Sequence, residues 1–210
     1  MLKDAFKKLD PKDALEIVRK LNEESCAPIL NPDLCVVLSQ NLDFYGSAHL
    51  LDIQDYSTHP SRKIYAVHHA PIKENNTSHC FTFLDWTNSP IYKLNKKLPV
   101  TLSKTSILGY VRFFFHFVSG EHGQFIIVEN LEEVPWREEQ PQEAKRSLSR
   151  FVEPLHEKEI PQGFEVKACM IFKDSLFSCL IDIDRNGFVN VREEQFLVED
   201  IPVMEDILKT

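Results

Sequence analysis

The sequence predicts an α+β protein with an antiparallel sheet, a Phe-rich core helix, an N-terminal helix or helical arm, and a C-terminal β-meander. Three observations support this class. Short β-rich segments follow one another over residues 34–94 without room for a helical crossover, which favours antiparallel pairing. A strongly apolar helical pattern, rich in phenylalanine, follows at residues 105–118. The final segment alternates apolar and polar side chains between short turns, as a half-buried meander requires.

The N-terminal helix is predicted from about Pro11 to Glu24. Asp10 is a favourable N-cap residue, and proline is well suited to the first helical position. A short helix is also expected before it, at Leu2–Lys8. One face of the main helix repeats apolar residues at helical spacing, namely Ala14, Ile17, Val18 and Leu21.

The predicted sheet consists of short strands separated by turns rich in proline, serine and asparagine. The apolar run Leu34–Ser39 is long enough for a buried strand, and its pattern alone does not distinguish a strand from a buried helix. Turn chemistry is found at residues 57–62 and 71–78. Further strands are predicted at His49–Ile53, Ile64–Val67, Cys80–Leu84 and Ile91–Leu94.

The core helix is predicted over Thr105–Val118, with Ser103 as its N-cap and Gly120 as its C-terminal stop. A buried strand is expected after it, at Gln124–Val128. The apolar face of the helix carries Ile107, Tyr110, Val111, Phe114, Phe117 and Val118, and Phe113 and Phe115 widen that face.

Composition changes over residues 134–163, which contain four of the twelve prolines together with clustered glutamates. Such a change is typical of a boundary between domains. We therefore expect an α+β domain at 1–133, a connecting segment at 134–163 with a short helix at Gln142–Val152, and an acidic meander at 164–210. The alternative is one continuous domain.

Charge and composition exclude several classes of function. The chain is 43% hydrophobic and 27% charged, which is ordinary for a globular protein. Residues 131–210 contain 10 basic and 18 acidic side chains and so hold the whole net charge of −8, which argues against nucleic-acid binding there. No apolar run is long enough for a membrane span, and the charged N-terminus does not resemble a signal peptide. Five cysteines without a C-x-x-C motif then predict reduced thiols and a cytoplasmic protein.

Residues 182–193 have the spacing of a calcium-binding loop. Asp182, Asp184, Asn186 and Glu193 occupy positions 1, 3, 5 and 12, and Gly187 occupies position 6. The segment thus resembles the EF-hand loop over twelve of the 210 residues, and the resemblance implies a Ca²⁺ site on these four ligands.

The same residues are also compatible with a β-hairpin whose loop is Arg185–Gly187. In that register Ile183 lies opposite Val189 and Ile181 lies opposite Val191, so one face becomes uniformly apolar. Gly187 would then adopt the left-handed conformation of a bulge. We expect the hairpin, with calcium binding as the alternative.

Histidines suggest a second metal hypothesis. Five of the eight lie within residues 49–79, beside Cys80, and a zinc site needs three or four such ligands to converge. Neighbouring residues on a strand point to opposite faces, so His68 and His69 cannot readily join one cluster. A metal-dependent or hydrolase-like enzyme would use this region, which contains His49, His59, His68, His69 and His79.

Two further groups of residues are candidates for ligand binding. Arg112 and His116 lie on a polar stripe of the core helix, where together with His122 they could hold a small anion or an acidic segment. For Arg112→Ala we expect weaker stabilisation by anions and little change in the melting temperature of the free protein. Asp85 and Trp86 lie in a polar loop at a strand end, where binding residues often occur.

The leading hypothesis is a non-catalytic interaction or regulatory module. No nucleophile elbow, P-loop, dinucleotide fingerprint or catalytic Cys/His signature is present, although an active site can be assembled from residues far apart in sequence. Whether the chain is an enzyme stays open. We expect a protein or small anionic ligand as partner, no membrane association, and no cofactor, with Ca²⁺ or Zn²⁺ as the alternatives.

Overall fold

The computed structural model describes residues 6–24, 29–74, 77–120, 123–137 and 142–204, with the backbone alone at 73, 74 and 77–79. These residues form four α-helices and two antiparallel sheets, so the predicted α+β class is confirmed. Described residues up to Pro99 form one compact unit, and those from Val100 onward form the other.

The first unit contains a five-stranded sheet with strands in sequence order, every neighbouring pair antiparallel. The run at Leu34–Ser39 is therefore a strand from Cys35 onward. The prediction of a helix at Leu2–Lys8 is wrong for the residues that the structure describes, since Lys7 and Lys8 form an edge strand paired with β2. The strands are β1 (Lys7–Lys8), β2 (Cys35–Asn41), β3 (His49–Asp55), β4 (Arg62–Glu74) and β5 (Thr77–Phe83).

Helix α1 (Pro11–Glu23) covers one face of this sheet. Its N-cap is the predicted one, since the Asp10 carboxylate accepts a hydrogen bond from the Lys12 N–H (3.0 Å). The helix buries its apolar stripe against alternate residues of the central strands. The resulting core contains Ala14, Val18, Leu21, Leu30, Val37, Leu51, Ile53 and Phe81.

Residues Ser89–Lys97 form helix α2. The prediction of a strand at Ile91–Leu94 is therefore wrong. Pro90 lies in the first turn of α2, and two lysines lie in its last turn, where cations stabilise a helix. Both Ile91 and Leu94 are buried, as three-residue spacing on one helix face allows.

The second unit contains a six-stranded sheet in the order β11-β10-β9-β7-β6, with β8 also paired to β9. Strands β9, β10 and β11 form the predicted C-terminal meander, which is confirmed. The strands are β6 (Ser119–Gly120), β7 (Gly123–Ile127), β8 (His156–Ile160), β9 (Gly163–Phe172), β10 (Ser175–Asp184) and β11 (Val189–Val198).

Helix α3 (Ile107–Phe117) is the Phe-rich core helix and packs against β7. It begins two residues later than predicted, and its N-cap is Ser106 and not the predicted Ser103. The first N–H of the helix nevertheless bonds to the Ser103 carbonyl (2.9 Å). Gly120 does not end the helix but pairs with Gly123 in the short β6–β7 hairpin. Within the described chain, no helix combines the length and the apolar character that a membrane span requires.

Part of the segment predicted to connect two domains is packed within the second unit. It contains helix α4 (Gln142–Leu148) and strand β8. Val134 and Leu148 are buried in a cluster with side chains of the second sheet and of the chain after β11, including Cys169, Ile171, Leu176, Ile201 and Val203. The domain boundaries themselves stay a prediction.

Candidate functional site

The 182–193 segment is a β-hairpin in the predicted register. Ile183 pairs with Val189, and Ile181 pairs with Val191. Gly187 has a φ of 77°, and its N–H bonds to the Asp184 carbonyl (3.0 Å). Strands therefore flank the loop where the EF-hand resemblance implies helices.

Side chains that the resemblance assigns to calcium have other contacts in this hairpin. The Asp184 carboxylate accepts hydrogen bonds from the N–H groups of Asn186 (2.8 Å) and Phe188 (2.9 Å), which holds the turn closed. Arg192 lies 3.4 Å from the Asp182 carboxylate and 3.6 Å from that of Glu193. Over the described residues, no three or more His, Cys, Asp or Glu side chains converge as a metal site would require.

The outer edge of β11 presents a long backbone edge with which no other described strand pairs. The strand is ten residues long and lies at the end of its sheet. Among the described strands, β10 alone pairs with it. An edge of this kind is a template for pairing with another chain.

A groove of about 550 Å³ adjoins this edge. The groove is open to solvent, and Glu193 and Glu194 of β11 form its acidic side. The lysine that lines it, Lys167 of β9, is paired with the Glu153 carboxylate (2.5 Å). At one end of the same strand, Phe196 is 51% exposed and packs edge-on against Phe177, with ring centroids 5.6 Å apart. The groove is lined by Lys167, Ser178, Leu180, Glu193, Glu194 and Gln195.

The direction of the β11 backbone groups follows from the hairpin. Bonded and non-bonded positions alternate along an antiparallel pair, and the bond from the Asp184 N–H to the Phe188 carbonyl (3.0 Å) sets that alternation. The register shifts by one residue at Arg192, where β11 has a bulge. Beyond this bulge, Glu194 lies opposite Cys179 at a non-bonded position of the ladder. Its N–H therefore points away from β10.

The polar stripe on α3 contains a buried ion pair. The Arg112 guanidinium donates two hydrogen bonds to the Glu129 carboxylate, from Nε to Oε1 (2.6 Å) and from Nη2 to Oε2 (3.0 Å). The side chains are 10% and 3% exposed, respectively. Much of the positive charge proposed for anion binding is therefore neutralised within the protein.

A small cavity of about 40 Å³ lies beside this ion pair. Arg112 and His116 both line it, so the structure brings these two predicted residues together, whereas His122 lies outside the described residues. Gln124 closes the helix end by donating to the carbonyls of Phe115 (3.0 Å) and His116 (2.8 Å). A cavity of this size can hold water, and its role as an anion site stays a prediction.

Two of the clustered histidines come together in the first sheet. His49 and His68 are direct neighbours across β3 and β4, and the His68 ring stacks on Phe81 at 4.8 Å. His69 is buried and contacts the Ala70 carbonyl and Thr82 hydroxyl through its two ring nitrogens. His59 lies in the turn between β3 and β4, and the side chain of His79 lies outside the described residues.

Burial limits the reactivity of two cysteines. All four cysteines in the described part of the chain are free thiols. Burial raises the pKa of Cys179 to about 12, with a further contribution from the Glu194 carboxylate. Burial also raises the pKa of Cys35 to about 11. Neither is a thiolate nucleophile at neutral pH, because only the deprotonated form attacks.

Asp85 and Trp86 contact two residues that the sequence analysis did not single out, Thr87 and Tyr65. The Trp86 ring stands edge-on to Tyr65, with centroids 5.8 Å apart and an interplanar angle of 82°. Asp85 stabilises the loop by accepting hydrogen bonds from the Thr87 N–H (3.0 Å) and hydroxyl (2.6 Å). Because these hydrogen bonds link the residues on either side of Trp86, Asp85 helps to hold the Trp86 ring in place.

No family model, curated protein or solved structure matches the chain. Its functional hypotheses therefore depend on its own side chains and backbone.

Sequence reasoning missed Glu129, Glu194 and Tyr65, each for a reason that the structure makes clear. Glu129 follows an apolar strand and carries no motif, although a carboxylate directly after a buried run is a partner candidate for Arg112. Glu194 matters through its position on an edge, which depends on strand order. Tyr65 meets Trp86 only because β4 and β5 are paired.

Proposed function

We propose that the protein is a non-catalytic interaction module that binds an extended segment of another protein along β11. The observation that carries this proposal is a ten-residue edge strand that pairs only with β10 among the described strands. A peptide added to such an edge gains main-chain hydrogen bonds, while side-chain pockets select its sequence.

Charge favours a basic segment as the occupant. The chain from 189 to 200 has one basic side chain, Arg192, and four acidic ones, Glu193, Glu194, Glu199 and Asp200. Arg192 is itself bound to the Glu165 carboxylate (2.6 Å), so it contributes little positive charge to a partner. Complementary charge raises the association rate and disfavours acidic competitors.

The exposed aromatic side chain on the same strand supplies an apolar contact. Phe196 lies beside Phe177, and aromatic side chains are enriched among the residues that dominate binding energy. The adjoining groove has the volume of an ordinary ligand pocket. We therefore expect a peptide with basic residues and at least one apolar anchor.

A displayed library of ten-residue peptides, selected on the intact protein, tests this proposal. Glu194→Pro removes the N–H that faces outward, and proline is tolerated at such an edge position. Glu194→Gln removes only the charge and is the matched control. We expect selected peptides to bind Glu194→Pro at least about tenfold more weakly than the wild type, and Glu194→Gln within about threefold, given that tenfold in affinity corresponds to about 1.4 kcal/mol.

Urea unfolding establishes that both variants are folded before binding is compared. Peptides that bind Glu194→Pro as well as the wild type would contradict strand addition at β11. A library that yields no binding peptide would also count against the proposal.

A further inference from the structure

A second surface, in the first unit, combines two aromatic rings with a carboxylate. Asp52 of β3 and Tyr65 of β4 are direct cross-strand neighbours. Since Leu51 and Ile53 face α1, Asp52 and its neighbour lie on the opposite face of the sheet. Trp86 follows the end of β5 and reaches the same face, where its ring stands at 82° to that of Tyr65.

The backbone at Trp86 adopts a conformation that costs energy for a residue with a side chain. Its φ is 65°, in the left-handed region that favours glycine. The Asp85 hydrogen bonds to Thr87 hold the loop in this shape. Strained backbone of this kind occurs preferentially at binding sites, where the surrounding structure maintains it.

The protein's own Lys63 already places a cation at this surface. Its ammonium nitrogen lies 4.9 Å from the Tyr65 ring centroid and 3.3 Å from the Asp52 carboxylate. The Lys63 side chain is 44% exposed, whereas that of Asp52 is 13% exposed. A long, solvent-facing lysine loses rotamer freedom when it is held in one place, and this loss offsets much of the attraction. The contact of Lys63 with Asp52 and Tyr65 is therefore weak and readily exchanged.

We propose that Asp52, Tyr65 and Trp86 form a recognition site for the ammonium group of a lysine side chain on another protein, and that Lys63 occupies this site in the free protein. The face of the Tyr65 ring attracts a cation through its quadrupole, and the Asp52 carboxylate adds direct charge attraction. Trp86 borders the site through its edge contact with Tyr65. The incoming lysine replaces Lys63, which returns to solvent. This inference does not rest on the binding function proposed for β11.

The site can be tested by following tryptophan indole resonances by NMR in the intact 210-residue chain. The chain has two tryptophans, and Trp136 lies in the other unit, where its indole N–H donates to the Leu131 carbonyl (3.2 Å). Trp136 therefore serves as an internal reference. The probe is lysine blocked at both backbone ends, and the same compound acetylated on its side-chain nitrogen is the uncharged control.

Lys63→Met removes the resident cation while keeping an unbranched apolar stem. We expect blocked lysine to shift the Trp86 resonance saturably in this variant, with a dissociation constant at least fivefold lower than in the wild type. The acetylated probe should give no shift. Asp52→Asn in the Lys63→Met background should weaken binding at least fivefold.

A Trp86 resonance in Lys63→Met that shifts no more than that of Trp136 would overturn the proposal. Equal responses to the charged and acetylated probes would overturn it as well, because they would show that charge is not recognised. If Lys63→Met does not fold, Lys63→Gln is measured against the same two outcomes.

Discussion

Arg112 shows how a single partner changes the role of a residue. As part of a polar stripe it was expected to bind an external anion and to matter little for the stability of the free protein. In the structure its guanidinium is bound to the buried Glu129 carboxylate. The residue therefore belongs first to the internal architecture of the second unit, and any anion must compete with that carboxylate.

Replacing Arg112 by methionine should destabilise the protein strongly, because the Glu129 carboxylate would remain buried without its cation. Breaking a buried pair on one side costs about 3–5 kcal/mol in the free energy of unfolding, which urea denaturation can measure. The double variant Arg112→Met/Glu129→Leu is the control and should recover part of the loss, since it leaves no unpaired charge. If Arg112→Met lowered the free energy of unfolding by less than about 1 kcal/mol, the ion pair would have to be solvated.

His68 should make stability fall as the solution becomes acidic. Burial lowers the pKa of His68, and the neighbouring His49 contributes in the same direction. The unfolded chain therefore binds a proton at higher pH than the folded protein. This contribution to stability is fully present above the unfolded pKa of about 6.5 and is lost as pH falls below it.

His68→Phe keeps the stacking on Phe81 and removes the titrating group. Unfolding free energies at pH 7.5 and 5.5 should then differ less in this variant than in the wild type. The same pH dependence in both proteins would assign the effect to other groups.

At the scale of an element, the β10–β11 hairpin depends on one glycine. Gly187 has a φ of 77° in the turn, which a β-branched side chain adopts only with strain. Gly187→Val should lower the free energy of unfolding by about 1–3 kcal/mol. Gly187→Asn is the matched comparison and should cost much less, because asparagine tolerates the left-handed region. Equal melting temperatures for the two variants would contradict this account of the turn.

The hairpin should also lack a tight calcium site. Asp184 holds the turn and Oδ2 of Asp182 is paired with Arg192, so these oxygens would have to leave existing contacts to bind an ion. Calorimetric titration of metal-free protein should show no saturable binding over the sensor range of ~10⁻⁷–10⁻⁵ M. A saturable site in that range, lost in Glu193→Gln, would restore the calcium hypothesis.

For the whole molecule, the decisive question is whether residues 134–163 connect domains or belong to a core. Leu148 is 1% exposed and lies in the cluster that joins α4 to the second sheet. Leu148→Ala should therefore cost about 2–5 kcal/mol in the free energy of unfolding. Phe151→Ala, in the same segment but 40% exposed, should change it by no more than about 0.5 kcal/mol. A small effect at Leu148 would favour a linker.

Local patterns in the sequence determined much of the secondary structure. The register of Ile181 and Ile183 with the valines of β11 follows from alternation and from the position of Gly187, both of which act within a few residues. The N-terminal helix likewise follows from Asp10, the proline after it and an apolar stripe. Such features are predictable because neighbouring residues supply the interactions that stabilise them.

Helix α2 shows where local pattern was insufficient. Ile91 and Leu94 fit either a short strand or one face of a helix, and their burial where α2 packs beside β5 selects the helix. The candidate sites depend still more on tertiary structure. Sequence singled out Trp86 and Arg112 by residue type, but only the folded chain brings Tyr65 beside one and Glu129 beside the other. Their partners are distant in sequence, so strand pairing and burial, which no local pattern records, decide what each side chain can bind.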